Sequence, residues 1–184
     1  MKRLGCGVAL ALFALLFSAC APSARIISGF GDLRDGEGKP RERPHSGVDV
    51  WGNRGDPVLA GASGGVVAIG DEPSGLSYPT CGKYVVIQHD VANALIAPTT
   101  TYCHFSSIRV KQGDLVNRGD RIGSIGTTGW RSQPTTTGFE HVHWELMTAR
   151  GKVDPLPLSV GCFDPKQAYP TDRLVLTYPV ECKN

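Results

Sequence analysis

Four of the five histidines in this 184-residue chain fall into three short patterns. The patterns are His45-Ser-Gly-Val-Asp49, Tyr102-Cys-His104 and His141-Val-His143. Neutral imidazole and carboxylate are ligands that zinc prefers, and a catalytic zinc takes three protein ligands while keeping a fourth position for water. Histidine is also the most frequent general acid or base. The patterns therefore predict a metal site with further imidazoles available for proton transfer.

The third pattern lies in a run with strict two-residue alternation, from Phe139 to Met147. In a β-strand, alternate side chains point to the same face, so His141, His143 and Glu145 should face one way while apolar residues face the other. Glu145 would then lie on the metal side. There it could orient an imidazole, although a salt-bridged glutamate is the more ordinary role.

The other two patterns also predict shared directions. His45 and Asp49 are four residues apart with Gly47 between them, which puts both on one side of a short extended or turning segment. Tyr102 and His104 should share a face by the two-residue rule. The fifth histidine, His89, follows an apolar run at a predicted strand end, and a structural role is expected for it.

The order of the three patterns resembles that of the lysostaphin/LytM-type zinc endopeptidases, which cut peptidoglycan peptides. The resemblance spans roughly residues 26–150 and includes Gly29-Phe-Gly31 ahead of the first pattern, Gly82-Lys-Tyr-Val-Val86, and the glycine-rich run 110–126. One departure is Phe105, where this family often has leucine after the middle histidine. The resemblance implies one zinc ion per chain and a peptidoglycan peptide as substrate.

By that resemblance, His45, Asp49 and His143 are the zinc ligands, and His104 and His141 are the catalytic pair. The chain contains no His-Glu-x-x-His sequence, so a histidine rather than a glutamate must act as the base. Which of the two catalytic histidines does so is left open. Two other functions also stay open: an inactive LytM-like regulator of another wall hydrolase, and a carrier or adaptor module related to barrel-sandwich hybrids.

The N-terminal sequence is typical of export. Residues 1–19 combine a basic start with an apolar stretch too short to span a membrane, and they are expected to be a signal peptide. Ser18-Ala19-Cys20 resembles the end of a bacterial lipoprotein signal, which implies that Cys20 is lipidated and that residues 20–25 form a tether to the membrane. With Ala21 after the cysteine, the sequence is similar to lipoproteins on the periplasmic face of the outer membrane in diderm cells. Ordinary cleavage after Ala21 is the alternative.

Removal of residues 1–19 takes away two basic residues and no acidic residue, which leaves 17 of each and a formal charge of zero. A nucleic-acid partner is therefore not expected. The sequence indicates no particular protein partner. The 165 remaining residues are enough for one domain, and no repeat of 20 to 50 residues is visible.

Four cysteines remain after the signal peptide and the lipidation site are set aside, which suggests two disulfides in an exported protein. If residues 83–89 and 98–104 form a hairpin turning near Val91 to Asn93, then Cys81 faces Cys103. The remaining pair is Cys162 with Cys182. Closing that loop of about twenty residues would contribute about 3 kcal/mol by the chain-entropy estimate.

The 23 glycines and 13 prolines, with short apolar runs between them, predict an all-β fold. We expect a single compact domain of antiparallel sheets forming a groove, with a LytM-type peptidase domain at residues 26–156 and a disulfide-fastened tail at residues 157–184. The expected strands lie at residues 58–60, 65–69, 84–87, 101–105, 121–125 and 142–146. Two long polar loops, residues 32–44 and 126–138, lie next to ligand segments and are candidates for groove walls. Trp130 and Arg131 in the second loop are possible substrate contacts.

Overall fold

The computed structural model describes residues 23–72, 81–91, 94–129 and 140–183. Those residues contain eleven β-strands and one 3-10 turn, and every pairing between the strands is antiparallel. The elements are β1 (Ile26–Ser28), β2 (Val48–Trp51), β3 (Pro57–Leu59), β4 (Gly64–Asp71), β5 (Lys83–Gln88), β6 (Thr99–Cys103), β7 (Phe105–Ile108), β8 (Leu115–Val116), β9 (Arg121–Ile125), β10 (His141–Thr148), β11 (Gly151–Val153) and the 3-10 turn Leu156–Leu158. The all-β, antiparallel prediction is confirmed.

The strands form two sheets that share one apolar core. The larger sheet has the order β1-β2-β10-β6-β5-β4-β8, with β11 paired to the end of β10, and the smaller sheet has the order β3-β9-β7. Alternation along β10 sends Val142, Trp144 and Leu146 into the core, where they are fully buried. Because successive strand residues face opposite ways, the same alternation leaves His141 and His143 on the other side of the larger sheet.

The C-terminal tail packs into this same core. Leu176 and Val180 belong to the buried cluster, and the backbone N–H of Thr177 donates to the carbonyl of Gly61 at 2.8 Å. A disulfide joins Cys162 to Cys182. The tail is thus held by apolar burial and main-chain hydrogen bonds as well as by the disulfide.

The second disulfide joins Cys81 to Cys103, which is the pairing inferred from the predicted hairpin. The register predicted for that hairpin was wrong, however. Val85 pairs with Tyr102, whereas a turn near Val91 to Asn93 would have placed it opposite Thr99. The cysteines still meet because Cys81 lies before the first residue of β5 and is not bound by its register; its carbonyl accepts from the backbone N–H of His104 at 2.9 Å.

No helix within the described residues is long and apolar enough to cross a membrane. The predicted signal peptide, the predicted lipidation site Cys20 and the possible substrate contacts Trp130 and Arg131 all lie outside the described residues.

Candidate metal centre

Two neighbouring strands bring the predicted ligands together. Asp49 on β2 lies directly opposite His143 on β10 in the antiparallel register, and His45 lies in the segment just before β2. That segment passes so close to β10 that a Cβ atom on Gly47 would lie 2.5 Å from the carbonyl oxygen of Trp144. Glycine at this position therefore allows the approach that places His45 beside Asp49, since any side chain would meet backbone.

Three ligand atoms converge on one point. The Oδ1 atom of Asp49 lies 3.1 Å from Nε2 of His45 and 2.8 Å from Nδ1 of His143, and those two nitrogens are 2.9 Å apart. A triangle with sides of about 3 Å has its centre about 1.7 Å from each corner, so one ion can lie about 2 Å from all three atoms, the distance of zinc–nitrogen and zinc–oxygen bonds. The spacing and chemistry of this donor set fit a zinc ion.

The outer partners of the two imidazoles select the tautomers that a metal needs. Nδ1 of His45 lies 2.8 Å from the carbonyl oxygen of Gly29, so Nδ1–H donates there and Nε2 keeps its lone pair for the centre. Nε2 of His143 lies 3.0 Å from Oε1 of Glu145, which leaves Nδ1 for the centre. Histidine ligands in metal sites are typically fixed in this way by a carbonyl or carboxylate.

Glu145 both orients His143 and forms a salt bridge, so both roles expected from the sequence are present. Its Oε1 atom accepts from Ser46 Oγ at 2.6 Å and from Lys152 Nζ at 2.7 Å. Burial would raise the pKa of Glu145, but the hydrogen bond and charge of His143 and the hydrogen bond from Lys152 lower it to about 2. Glu145 is therefore a carboxylate, the form that can accept the His143 proton.

Without a metal, the positive charge of a protonated His143 offsets the negative charges of Asp49 and Glu145. Burial would lower its pKa, but hydrogen bonds and charge from Asp49 and Glu145 raise it to about 9. Burial would likewise raise the pKa of Asp49, yet the charge of His141 and the hydrogen bond from His143 hold it well below its usual range. The centre is thus built around an ionised aspartate, and His143 would have to give up the proton on Nδ1 to serve as a metal ligand.

His104 reaches the centre by a different route from the one predicted. Tyr102 points into the core, where its hydroxyl accepts from the backbone N–H of Gly61 at 2.9 Å, so Tyr102 and His104 do not share a face. Residues 101–105 belong to two strands rather than one, because β6 ends at Cys103 and β7 begins at Phe105. This residue has a φ of 68° and is the one described residue other than glycine with positive φ. That left-handed conformation redirects the side chain toward the metal side.

The His104 ring is fixed beside the ring of His141. Their centroids are 5.1 Å apart, and Nδ1 of His104 lies 2.7 Å from the carbonyl oxygen of Thr128, to which it donates. Nε2 of His104 is therefore the acceptor nitrogen. Burial first, and then the charges of His141 and His143, lower the pKa of His104 to about 3, so the ring is neutral. Nε2 of His141 lies 3.4 Å from Oδ1 of Asp49.

The structure therefore brings together all five predicted site residues and leaves His89 apart from them. His89 is buried, with Nδ1 2.9 Å from the carbonyl of Ser63 and Nε2 2.8 Å from Thr100 Oγ1, which agrees with the structural role expected for it. Arg41 was missed: its Nη2 atom lies 3.2 Å from Oδ2 of Asp49. Nothing in the polar run 32–44 distinguishes this arginine from its neighbours.

Comparison with known proteins places these residues in a family. The model of Peptidase family M23 matches residues 43–155, which include all five site residues. The peptidoglycan DD-endopeptidase ShyA of Vibrio cholerae serotype O1 is 35% identical over 136 residues, covering 74% of this chain and 28% of ShyA. The chain thus spans little more than a quarter of that relative.

Two solved structures share the fold. A zinc-containing peptidase from Vibrio cholerae is 31% identical with a TM-score of 0.52, over 71% of this chain and 35% of that one. The catalytic domain of the antimicrobial peptidase lysostaphin from Staphylococcus simulans is 29% identical with a TM-score of 0.53, over 73% of this chain and 90% of that domain.

Proposed function

The chain belongs to peptidase family M23, and from the geometry of its site we propose that it is a zinc-dependent endopeptidase that hydrolyses peptide crosslinks of bacterial peptidoglycan. The observation that carries this proposal is the convergence of ligand atoms from His45, Asp49 and His143, with the imidazoles of His104 and His141 beside them. Three protein ligands leave a position for water, as in other catalytic zinc sites.

When bound, a zinc ion supplies Lewis acidity toward the scissile carbonyl and lowers the pKa of an attacking water toward about 7. The protein then has to move protons. Nε2 of His104 is an acceptor because Nδ1–H is held by the carbonyl of Thr128, so the neutral His104 ring would accept a hydrogen bond from the attacking water and orient it. His141, beside Asp49, would donate a hydrogen bond to the developing oxyanion or a proton to the departing amine.

The two other functions suggested by the sequence are less consistent with this arrangement. A degenerate regulator would be expected to lack ligand residues, whereas all five positions are filled. A carrier module would have no use for two imidazoles that each turn a ring nitrogen toward one point beside Asp49. Both alternatives predict little or no stoichiometric metal, so elemental analysis of the purified protein distinguishes them from the peptidase.

Digestion of purified sacculi tests the proposed activity directly. The zinc-loaded protein should convert crosslinked muropeptide dimers to monomers, while the His143→Ala variant should not. The released fragments are separated by chromatography and identified by mass spectrometry. We propose the D-alanine to diaminopimelate crosslink as the bond that is cut, supported by the activity for which the relative ShyA is named. Intact dimers after digestion with the zinc-loaded protein would contradict the proposal, and cleavage at a different peptide bond would contradict only the choice of bond.

We further propose that the protein is exported and anchored through a lipid on Cys20, with the sequence Ser18-Ala19-Cys20 as support. The Cys20→Ser variant should leave the membrane fraction and appear as soluble, folded protein, because the anchor is then absent. Fractionation of cells followed by immunoblotting measures this. The Cys6→Ser variant is the matched control, since Cys6 lies within the predicted signal peptide. An unchanged membrane fraction for Cys20→Ser would exclude lipidation at this residue.

A further inference from the structure

The two carboxylate oxygens of Asp49 face different kinds of partner. Its Oδ1 atom faces three imidazoles, at 2.8 Å from His143, 3.1 Å from His45 and 3.4 Å from His141. Its Oδ2 atom faces a cation instead, because Nη2 of Arg41 lies 3.2 Å away. One oxygen therefore points toward the metal position and the other is held by a charged hydrogen bond.

Arg41 is held in place before it reaches Asp49. Its backbone N–H donates to the carbonyl of Leu33 at 2.9 Å, and its Nε–H donates to the carbonyl of Arg34 at 3.1 Å. Nη2 also donates to Ser28 Oγ at 3.1 Å. The side chain is 21% exposed and Asp49 only 5%. A guanidinium held by two other hydrogen bonds loses little further freedom in binding the carboxylate, so this contact is stronger than an ordinary surface ion pair.

The loop that carries Arg41 is folded back on itself. An isolated bridge pairs Arg34 with Pro40, and the backbone N–H of His45 donates to the carbonyl of Asp32 at 3.0 Å. The part of residues 32–44 that was expected to be a groove wall therefore also delivers a cation to the metal centre. Arg41 lies two residues before the start of the region matched to the family, which begins at residue 43.

We propose that Arg41 is a positioning residue that keeps Asp49 a one-oxygen ligand of the metal. If Oδ2 were free, the carboxylate could turn and bind through both oxygens, which would occupy the position that a catalytic zinc keeps for water and substrate. Holding Oδ2 at Arg41 prevents that rotation and leaves the position open. This inference rests on the proposed function, because it concerns a metal bound by His45, Asp49 and His143.

Arg41→Gln and Arg43→Gln form a matched pair of variants. Both remove one positive charge from the same loop, but Arg43 is exposed to solvent and should be dispensable. In protein whose zinc is replaced by cobalt, the visible absorption reports coordination number. Arg41→Gln should show the weaker absorption of a five-coordinate ion, and Arg43→Gln should match the unsubstituted protein. The value of kcat for the zinc-loaded protein should fall about 10-fold to 100-fold in Arg41→Gln, as for other outer partners of metal ligands.

Arg41→Lys keeps the charge but loses the planar fork, so it should recover only part of the spectrum and of kcat. An unchanged cobalt spectrum and kcat in Arg41→Gln, with the fold shown intact by its circular dichroism, would overturn the proposal. A raised KM with unchanged kcat would also overturn it, since Arg41 would then bind the substrate. If the unsubstituted protein bound no cobalt or zinc, the proposed function itself would fail and this inference with it.

Discussion

Replacing His104 or His141 by alanine should leave the zinc bound and the chain folded while lowering turnover on crosslinked peptidoglycan fragments about 10²-fold to 10⁴-fold. That range is typical for the loss of a general acid or base or of an oxyanion donor. Neither ring belongs to the triangle of ligand atoms that fits the metal. Both rings lie beside it, with their centroids 5.1 Å apart. Zinc content by elemental analysis and kcat by fragment release check the two halves of this prediction.

The two variants should differ in how they fail. His104 accepts at Nε2 because Thr128 holds its Nδ1–H, so His104→Ala removes the proposed hydrogen-bond acceptor for the attacking water. Added imidazole should recover part of its activity by filling the space that the ring leaves. His104→Gln is a second variant, since it restores polar contacts without a ring nitrogen at the Nε2 position and should stay inactive. If His141→Ala emptied the metal site while His143→Ala kept it filled, the two roles assigned on β10 would be exchanged. If all variants kept full activity, the catalytic site would lie elsewhere.

The sequence predicted β10 well because its physical signal is local. Strict alternation between apolar and polar residues assigns each side chain to a face, and the structure keeps that assignment, with Trp144 fully buried while His141 and His143 face the metal position. Asp49 lies opposite His143 because β2 pairs with β10 in a particular register, and no local pattern in the sequence predicts that pairing. The sequence indicates it only indirectly, because the ligands of one metal have to meet.

His104 shows why the same rule failed one strand away. Alternation predicts a continuous strand through residues 101–105, but the backbone of His104 takes a left-handed conformation that costs a residue other than glycine of order 1 kcal/mol. Tertiary contacts offset that cost: the neighbouring Cys103 is joined to Cys81, and the backbone N–H of His104 donates to the Cys81 carbonyl at 2.9 Å. Strain of this kind at a functional residue depends on contacts that are distant in sequence.

Arg41 was missed for a related reason. The run 32–44 contains three arginines and no periodicity, so it predicts a polar loop and nothing about which cation turns inward. The choice depends on the bridge between Arg34 and Pro40 and on main-chain hydrogen bonds that close the loop.

Removing a ligand should have the largest effect of all. In His143→Ala or Asp49→Asn the zinc affinity should fall by more than the about 10-fold to 100-fold that follows loss of an outer partner, because a direct bond to the metal is lost. Peptidase activity should disappear with the metal. Asp172→Asn is the matched control, since Asp172 is an exposed carboxylate in the C-terminal tail and should leave both properties unchanged.

Thermal unfolding separates loss of the metal from loss of the fold. An ion that binds only the folded state stabilises it by about 4 kcal/mol when its free concentration is 1,000 times the Kd, so the unsubstituted protein should unfold at a higher temperature in zinc than in a chelator. His143→Ala and Asp49→Asn should still unfold cooperatively but show almost no such difference. Asp49→Asn is preferred to alanine because the half-buried Arg41 and His143 would otherwise lose a polar partner as well as a charge. Full zinc occupancy in both variants, with the zinc-dependent shift in Tm intact, would show that the metal is bound by other residues and would exclude the triangle of His45, Asp49 and His143 as its site.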